Sequence, residues 1–281
     1  MARKPRVEFP GAFYHVIVRG NQRQAIFRSD TDRKYYLERL EEYRQRYGFN
    51  VYAYVLMSNH VHMLVETGQV PLSKIMQGLQ LRYTGYYNGK YRKVGHLFQG
   101  RYKAILCDRQ AYLLELVRYL HFNPGRMRAA VDPWTYRWSS HGAYLGKSGL
   151  VKIESSVVLG ELANTVGQAR RAYLRFMAEG KGSGHQADYY DVRDQRFLGD
   201  SAFVDQIDQR VRGEREIEVP GPRAKFPQVI ASDGGGLWCK RTKLSTSGAS
   251  KTMGEGEIDV GLPGARVGED KRQGDRAPFA S

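Results

Sequence analysis

The chain has 281 residues, 41% of them apolar, enough for one or two domains with a buried core. Its 44 lysines and arginines against 29 acidic residues leave a formal net charge of +15, which points to a polyanionic partner. Only Cys107 and Cys239 are present and no run of about 18 apolar residues occurs, which argues against a disulfide framework, a zinc knuckle and a membrane-spanning helix and fits a reducing cytosol.

In chain order, Met1–Pro10 is charged with no apolar stretch behind it, so no export signal is expected. Ala12–Val18 reads as a first strand, closed by the polar turn Arg19–Arg23. A helix follows, capped by Ser29 or Asp30, with Tyr36, Leu40, Tyr43 and Tyr47 at helical spacing and Gly48 as its stop. Phe49–Leu56, rich in aromatic and β-branched residues, is a second strand; Met57–Asn59 turns the chain, and a third strand runs from His60 to Glu66 as the return arm of a hairpin.

Pro71 opens a second helix whose apolar stripe is Leu72, Ile75, Met76, Leu79, Tyr83 and Tyr86. A basic loop, Asn88–His96, leads into a fourth strand expected over Leu97–Leu106, and a third helix runs from Ala111 to about Phe122 with Leu113, Leu116, Val117 and Leu120 inward. The order β-α-β-β-α-β predicts an α+β, ferredoxin-like antiparallel sheet with an added helix. Residues 1–128 form this core domain, with 22 basic and 9 acidic side chains and hence nearly all of the net charge. Residues 129–212 read as a helical extension packed on the core through Trp134, Trp138 and Tyr144. From Gly213 to Ser281, scattered apolar residues and the run Gly234–Gly236 predict a mostly disordered basic tail.

The most informative feature is the pair His60 and His62. Strand side chains alternate faces, so a His-x-His pair puts both imidazoles on one side of the sheet, a few ångströms apart, as a metal clamp would. On the third helix Tyr119 and Asn123 are four residues apart and share a face, about 6 Å along the axis. Pro124 is expected to end that helix, leaving Asn123 at the carboxyl end, where the helix dipole favours a cation and an amide oxygen can serve as a third ligand. Such a site keeps coordination positions open for a phosphate oxygen, and a nearby phenol could then cut a nucleic-acid strand. Alternatives stay open: the histidines also fit a solvated edge pair, and periodicity does not single out Tyr119 among 19 tyrosines. Arg92, Lys93, Arg101 and Lys103, interleaved with Tyr91, Phe98 and Tyr102, fit either a single-strand groove or a solvated face.

Four blocks in order carry a family resemblance: Arg19–Arg23 with Ile26 and Phe27, Ser58–Leu64, Gly95–Ala104 and Tyr119–Pro124. Over roughly residues 5–145 the chain resembles the HUH single-tyrosine transposases, and more closely their REP-associated branch. Weaker likeness extends through Trp134–Tyr144 and Phe197–Phe203.

The resemblance implies a single-stranded DNA transposase and endonuclease that cleaves and rejoins DNA at hairpin ends through a 5′-phosphotyrosine. It implies Tyr119 as the nucleophile and His60, His62 and Asn123 as metal ligands. Arg19, Asn21, Arg23, Gln99, Arg101, Lys103 and Arg126 are the expected DNA contacts. Two imidazoles and an amide suit zinc or nickel by ligand softness, whereas the resemblance implies Mg2+ or Mn2+. It further implies action in the cytoplasm at the nucleoid, as a monomer or a homodimer. Relatives often carry a carboxyl-terminal helix-turn-helix; the absence of such a pattern after Gly213 reads as a truncated or frame-shifted end. The competing readings are a non-catalytic hairpin-binding or regulatory relic and an RNA-binding ferredoxin-like domain, which would place aromatics on the central strands instead of the histidine pair.

Overall fold

A computed structural model, which describes residues 6–127, 131–180 and 196–217, contains the expected core order. It runs β1 (Phe13–Arg19), a 3-10 turn (Asn21–Arg23), α1 (Asp30–Tyr47), β2 (Asn50–Leu56), β3 (His60–Glu66), α2 (Leu72–Tyr91), β4 (Lys103–Cys107) and the added helix α3 (Arg109–Met127). Then come α4 (His141–Tyr144), α5 (Ser155–Gly160), α6 (Val166–Glu179), β5 (Phe197–Leu198) and α7 (Ser201–Ile217). No described helix is long and apolar enough to cross a membrane.

Local chemistry sets most boundaries. Ser29 caps α1 in a reciprocal box, its hydroxyl accepting from the Asp32 N–H while the Asp32 carboxylate accepts from the Ser29 N–H. Gly48 ends the helix in the left-handed region, φ +63°. On α2 the apolar stripe runs through Tyr83 and extends to the fully buried Tyr87, with the expected Tyr86 half-buried against the same core. The latter stacks on Tyr35 with ring centroids 3.9 Å apart and donates to Asp32.

The sheet order is β2-β3-β1-β4-β5. The first four strands are antiparallel, and β5 joins parallel to β4 through Leu106 and Cys107. Alternation splits the side chains between two faces. Tyr14, Val16, Val18, Val61, Met63 and Val65 face α1 and α2. Phe13, Leu64, Ile105 and Cys107 face α3, which lays Leu113, Leu116, Val117 and Leu120 on them. The helix is thus set across the face that also bears His60 and His62.

The fourth strand and the end of α3 also need correction. The fourth strand is shorter than Leu97–Leu106, because Gly100 at φ +70° bends the chain and only Phe98 bridges back, to Gly20. Pro124 does not end α3, which continues to Met127. A proline this close to the end removes only the donor to one carbonyl, that of Leu120, so the last turn survives. Asn123 therefore lies a turn inside the helix, and the dipole argument for its placement loses force.

The extension closes the free edge of β2. Leu56 N–H donates to Trp138 O at 2.9 Å and Ser140 N–H to Tyr54 O at 3.0 Å, while Glu154 N–H reaches Val51 O at 2.9 Å. Trp138 and Tyr144 are buried and Trp134 is half-buried against Phe122. Helix α7 passes residue 213, where the tail was expected to begin, and residues 218–281 lie outside the described ones.

Candidate active site

Antiparallel register between β1 and β3 pairs Arg19 with His60, Ile17 with His62 and His15 with Leu64. Residues at alternate positions share a face, so His15 joins His60 and His62 under α3. Ring centroids are 5.0 Å apart for His60 and His62 and 5.1 Å for His15 and His62. From above, the Tyr119 ring comes edge-on to both, 5.9 Å from His15 and 6.2 Å from His62. One turn further along α3 the Asn123 side chain approaches His60. Its Oδ1 is buried and has no hydrogen-bond donor.

The rings are held by specific partners. His15 Nε2 lies 2.9 Å from His62 Nδ1, and His60 Nδ1 lies 2.7 Å from Asn59 Oδ1. Burial disfavours the charged imidazolium throughout. It lowers His60 to about 4, helped by the Arg19 charge and opposed by Asn123. It lowers His15 to about 3, with Lys103 adding to the effect. His62 is held well below its ordinary value by burial first, then by His15, His60 and Arg19. All three are neutral at pH 7, and a neutral imidazole keeps a lone pair for a metal or a hydrogen bond.

A polar and basic rim adjoins this cluster. Asn21 N–H donates to Leu97 O at 2.8 Å and Gln99 N–H to Arg19 O at 2.9 Å, tying the turn after β1 to the loop before β4. This tie joins the segments that carry Arg19, Asn21, Arg23, Gln99 and Arg101, all but the half-buried Asn21 exposed. Lys103 begins β4 opposite Ile17, on the histidine face, and Arg126 falls on the last turn of α3. The turn is tight: a Cβ on Gly20 would meet Gln24 O at 2.2 Å. Gln22 and Arg23 both take positive φ, 49° and 59°, a strained backbone of the kind that persists where the surroundings over-determine it.

A family model described as "Transposase IS200 like" matches residues 9–123, from just before β1 to Asn123. Residues 9–123, less than half of the chain, are thus similar to the IS200-like transposases. Among solved structures, a REP-associated tyrosine transposase bound to a REP hairpin aligns at 13% identity, over 55% of this chain and 96% of that one, with a TM-score of 0.45. No curated protein matches the chain.

Within this matched segment, the structure brings the four residues expected at the centre into one place: His60, His62, Tyr119 and Asn123. Among the described residues, no group of three or more His, Cys, Asp or Glu side chains could hold a metal ion. Two neutral imidazoles and the buried Asn123 amide, which lies against His60, nevertheless form a donor set that fits a divalent cation. Sequence reasoning missed His15 and passed over Asn59 as a turn residue. His15 carries no spacing signal, because only the pairing of β1 with β3 places it beside His62. Asn59 adjoins the histidine pair, and that adjacency was the available clue.

Proposed function

We propose that this chain is a single-stranded DNA endonuclease and strand transferase that cuts and rejoins DNA at hairpin ends through Tyr119. The observation that carries the reading is the approach of the Tyr119 ring to the histidine cluster from the same helix that presents Asn123. His60, His62 and Asn123 are the residues that would hold a magnesium or manganese ion. Such an ion, when bound, polarises the scissile phosphate and offsets the charge of an in-line displacement.

The chain's own groups supply the rest. The Tyr119 hydroxyl attacks phosphorus and loses its proton to water; the bond from phosphorus to the 3′ oxygen breaks, and that oxygen leaves as a 3′-hydroxyl. The phosphotyrosine retains the energy of the broken diester, so an incoming 3′-hydroxyl can reverse the step at a new junction. Arg19, Arg23, Gln99, Arg101 and Lys103 are suited to hold the strand's phosphates beside the site, with Asn21 at its margin.

Tyr119, His60 and His62 are each less than 5% exposed, so the strand enters only if α3 shifts from the sheet or the side chains over the pair rotate. The test is incubation of the full chain with a labelled single strand bearing its flanking hairpin and Mn2+. A covalent adduct that disappears in Tyr119→Phe supports the reading. Tight hairpin binding without adduct in either protein overturns it in favour of a non-catalytic hairpin-binding protein.

A further inference from the structure

We propose that Asn59 is a positioning residue that fixes the tautomer of His60, leaving the ring's lone pair on Nε2. The inference rests on the metal-ligand role proposed above for His60. The Asn59 amide is oriented from its far side: Nδ2–H donates to the Arg23 carbonyl at 3.0 Å, and a carbonyl only accepts. The NH2 group therefore points to Arg23 and Oδ1 to His60, 2.7 Å from Nδ1. An amide oxygen also only accepts, so the hydrogen in that contact belongs to His60 Nδ1. A neutral imidazole with hydrogen on Nδ1 carries none on Nε2. Free histidine favours the opposite tautomer, so Asn59 selects the form that can bind metal through Nε2.

The relay has a second end. Arg23 presents its carbonyl from the left-handed turn, φ +59°, within the rim suited to phosphates. The turn that would hold the strand thus also holds the amide that sets the ligand. His60 keeps this hydrogen bond whether or not the strand is present, provided the turn keeps its shape.

The experiment reads the ring nitrogens directly. In the full chain, 15N-labelled and metal-free, long-range 1H–15N correlation at neutral pH is expected to show His60 protonated on Nδ1 and bare on Nε2. Asn59→Leu is expected to shift the ring toward the Nε2–H form and to weaken Mn2+ binding about 10- to 100-fold by calorimetry. Asn59→Asp, whose carboxylate accepts the same hydrogen but cannot donate to the Arg23 carbonyl, is expected to retain the Nδ1–H tautomer. An Nε2–H ring in the wild type, or an unchanged tautomer and Mn2+ affinity in Asn59→Leu, overturns the proposal; if Asn59→Leu does not fold, the wild-type spectrum decides. Adduct formation by a wild type with an Nε2–H ring sinks this inference alone. An Nδ1–H ring in a wild type that binds no Mn2+ removes the metal role and the proposed function with it.

Discussion

His15 and His62, on adjacent strands, face each other with Nε2 and Nδ1 2.9 Å apart, and both rings are buried. When His62 Nδ1–H is the donor and His15 Nε2 the acceptor, the Nε2 lone pair of His62 is left for a ligand. A histidine that binds metal commonly engages its second nitrogen in this way, which orients the ring and raises its basicity.

Replacing His15 by Leu removes that partner and leaves His62 Nδ1 buried and unpaired. The expected cost is about 1–3 kcal/mol of stability by urea unfolding. Mn2+ affinity is expected to fall about 10- to 100-fold, while Tyr119→Phe leaves it unchanged. Calorimetric titration of both variants checks the contrast, and equal affinities would remove His15 from the site.

Acid should unfold the protein. Five histidines have folded-state values below 6.5: His15 at about 3, His60 and His141 at about 4, and His62 and His121 well below normal, burial being the first cause in each. Below pH 6.5 the unfolded chain takes up protons that the folded chain refuses, so stability falls as pH falls. Each such group contributes about 1.4 kcal/mol per pH unit in that window. Unfolding free energy measured in urea between pH 7 and 5 is expected to drop with a slope of more than one proton. A flat profile would contradict the buried, neutral assignment.

The extension bears on α3 through a shared hydroxyl. His121 Nδ1 lies 2.9 Å and His141 Nδ1 2.7 Å from the Tyr173 hydroxyl, while His121 Nε2 lies 2.8 Å from Ser140 Oγ. Tyr173→Phe strands two buried ring nitrogens, for an expected loss of about 2–5 kcal/mol. Thermal and urea unfolding read this loss. Mn2+ affinity should not change, because Tyr173 does not touch the histidine pair.

Salt dependence tests the rim. Each phosphate held by an arginine contributes about 0.7 to the slope of log affinity against log salt for a single strand. Arg19→Ala with Arg101→Ala should reduce that slope by about 1.4 in a hairpin-binding titration. Arg175→Ala, on the exposed side of α6, should leave it unchanged.

Much of this molecule was legible before folding. Ser29 and Gly48 mark the ends of α1, the hairpin surrounds Met57–Asn59, and His60 and His62 must share a face wherever their strand lies. These features follow from periods of 2.0 and 3.6 residues and from cap chemistry, which act within a few residues of chain. What local pattern could not decide was which distant residues meet. The β1–β3 register brought His15 to His62, helix packing set Tyr119 above them, and the bend at Gly100 shortened β4. Pro124 stayed helical because the packing of α3 on the sheet outweighs one lost hydrogen bond near its end. Register and helix placement are settled by burial across the whole sheet, a sum over contacts far apart in sequence, and so they belong to the tertiary structure.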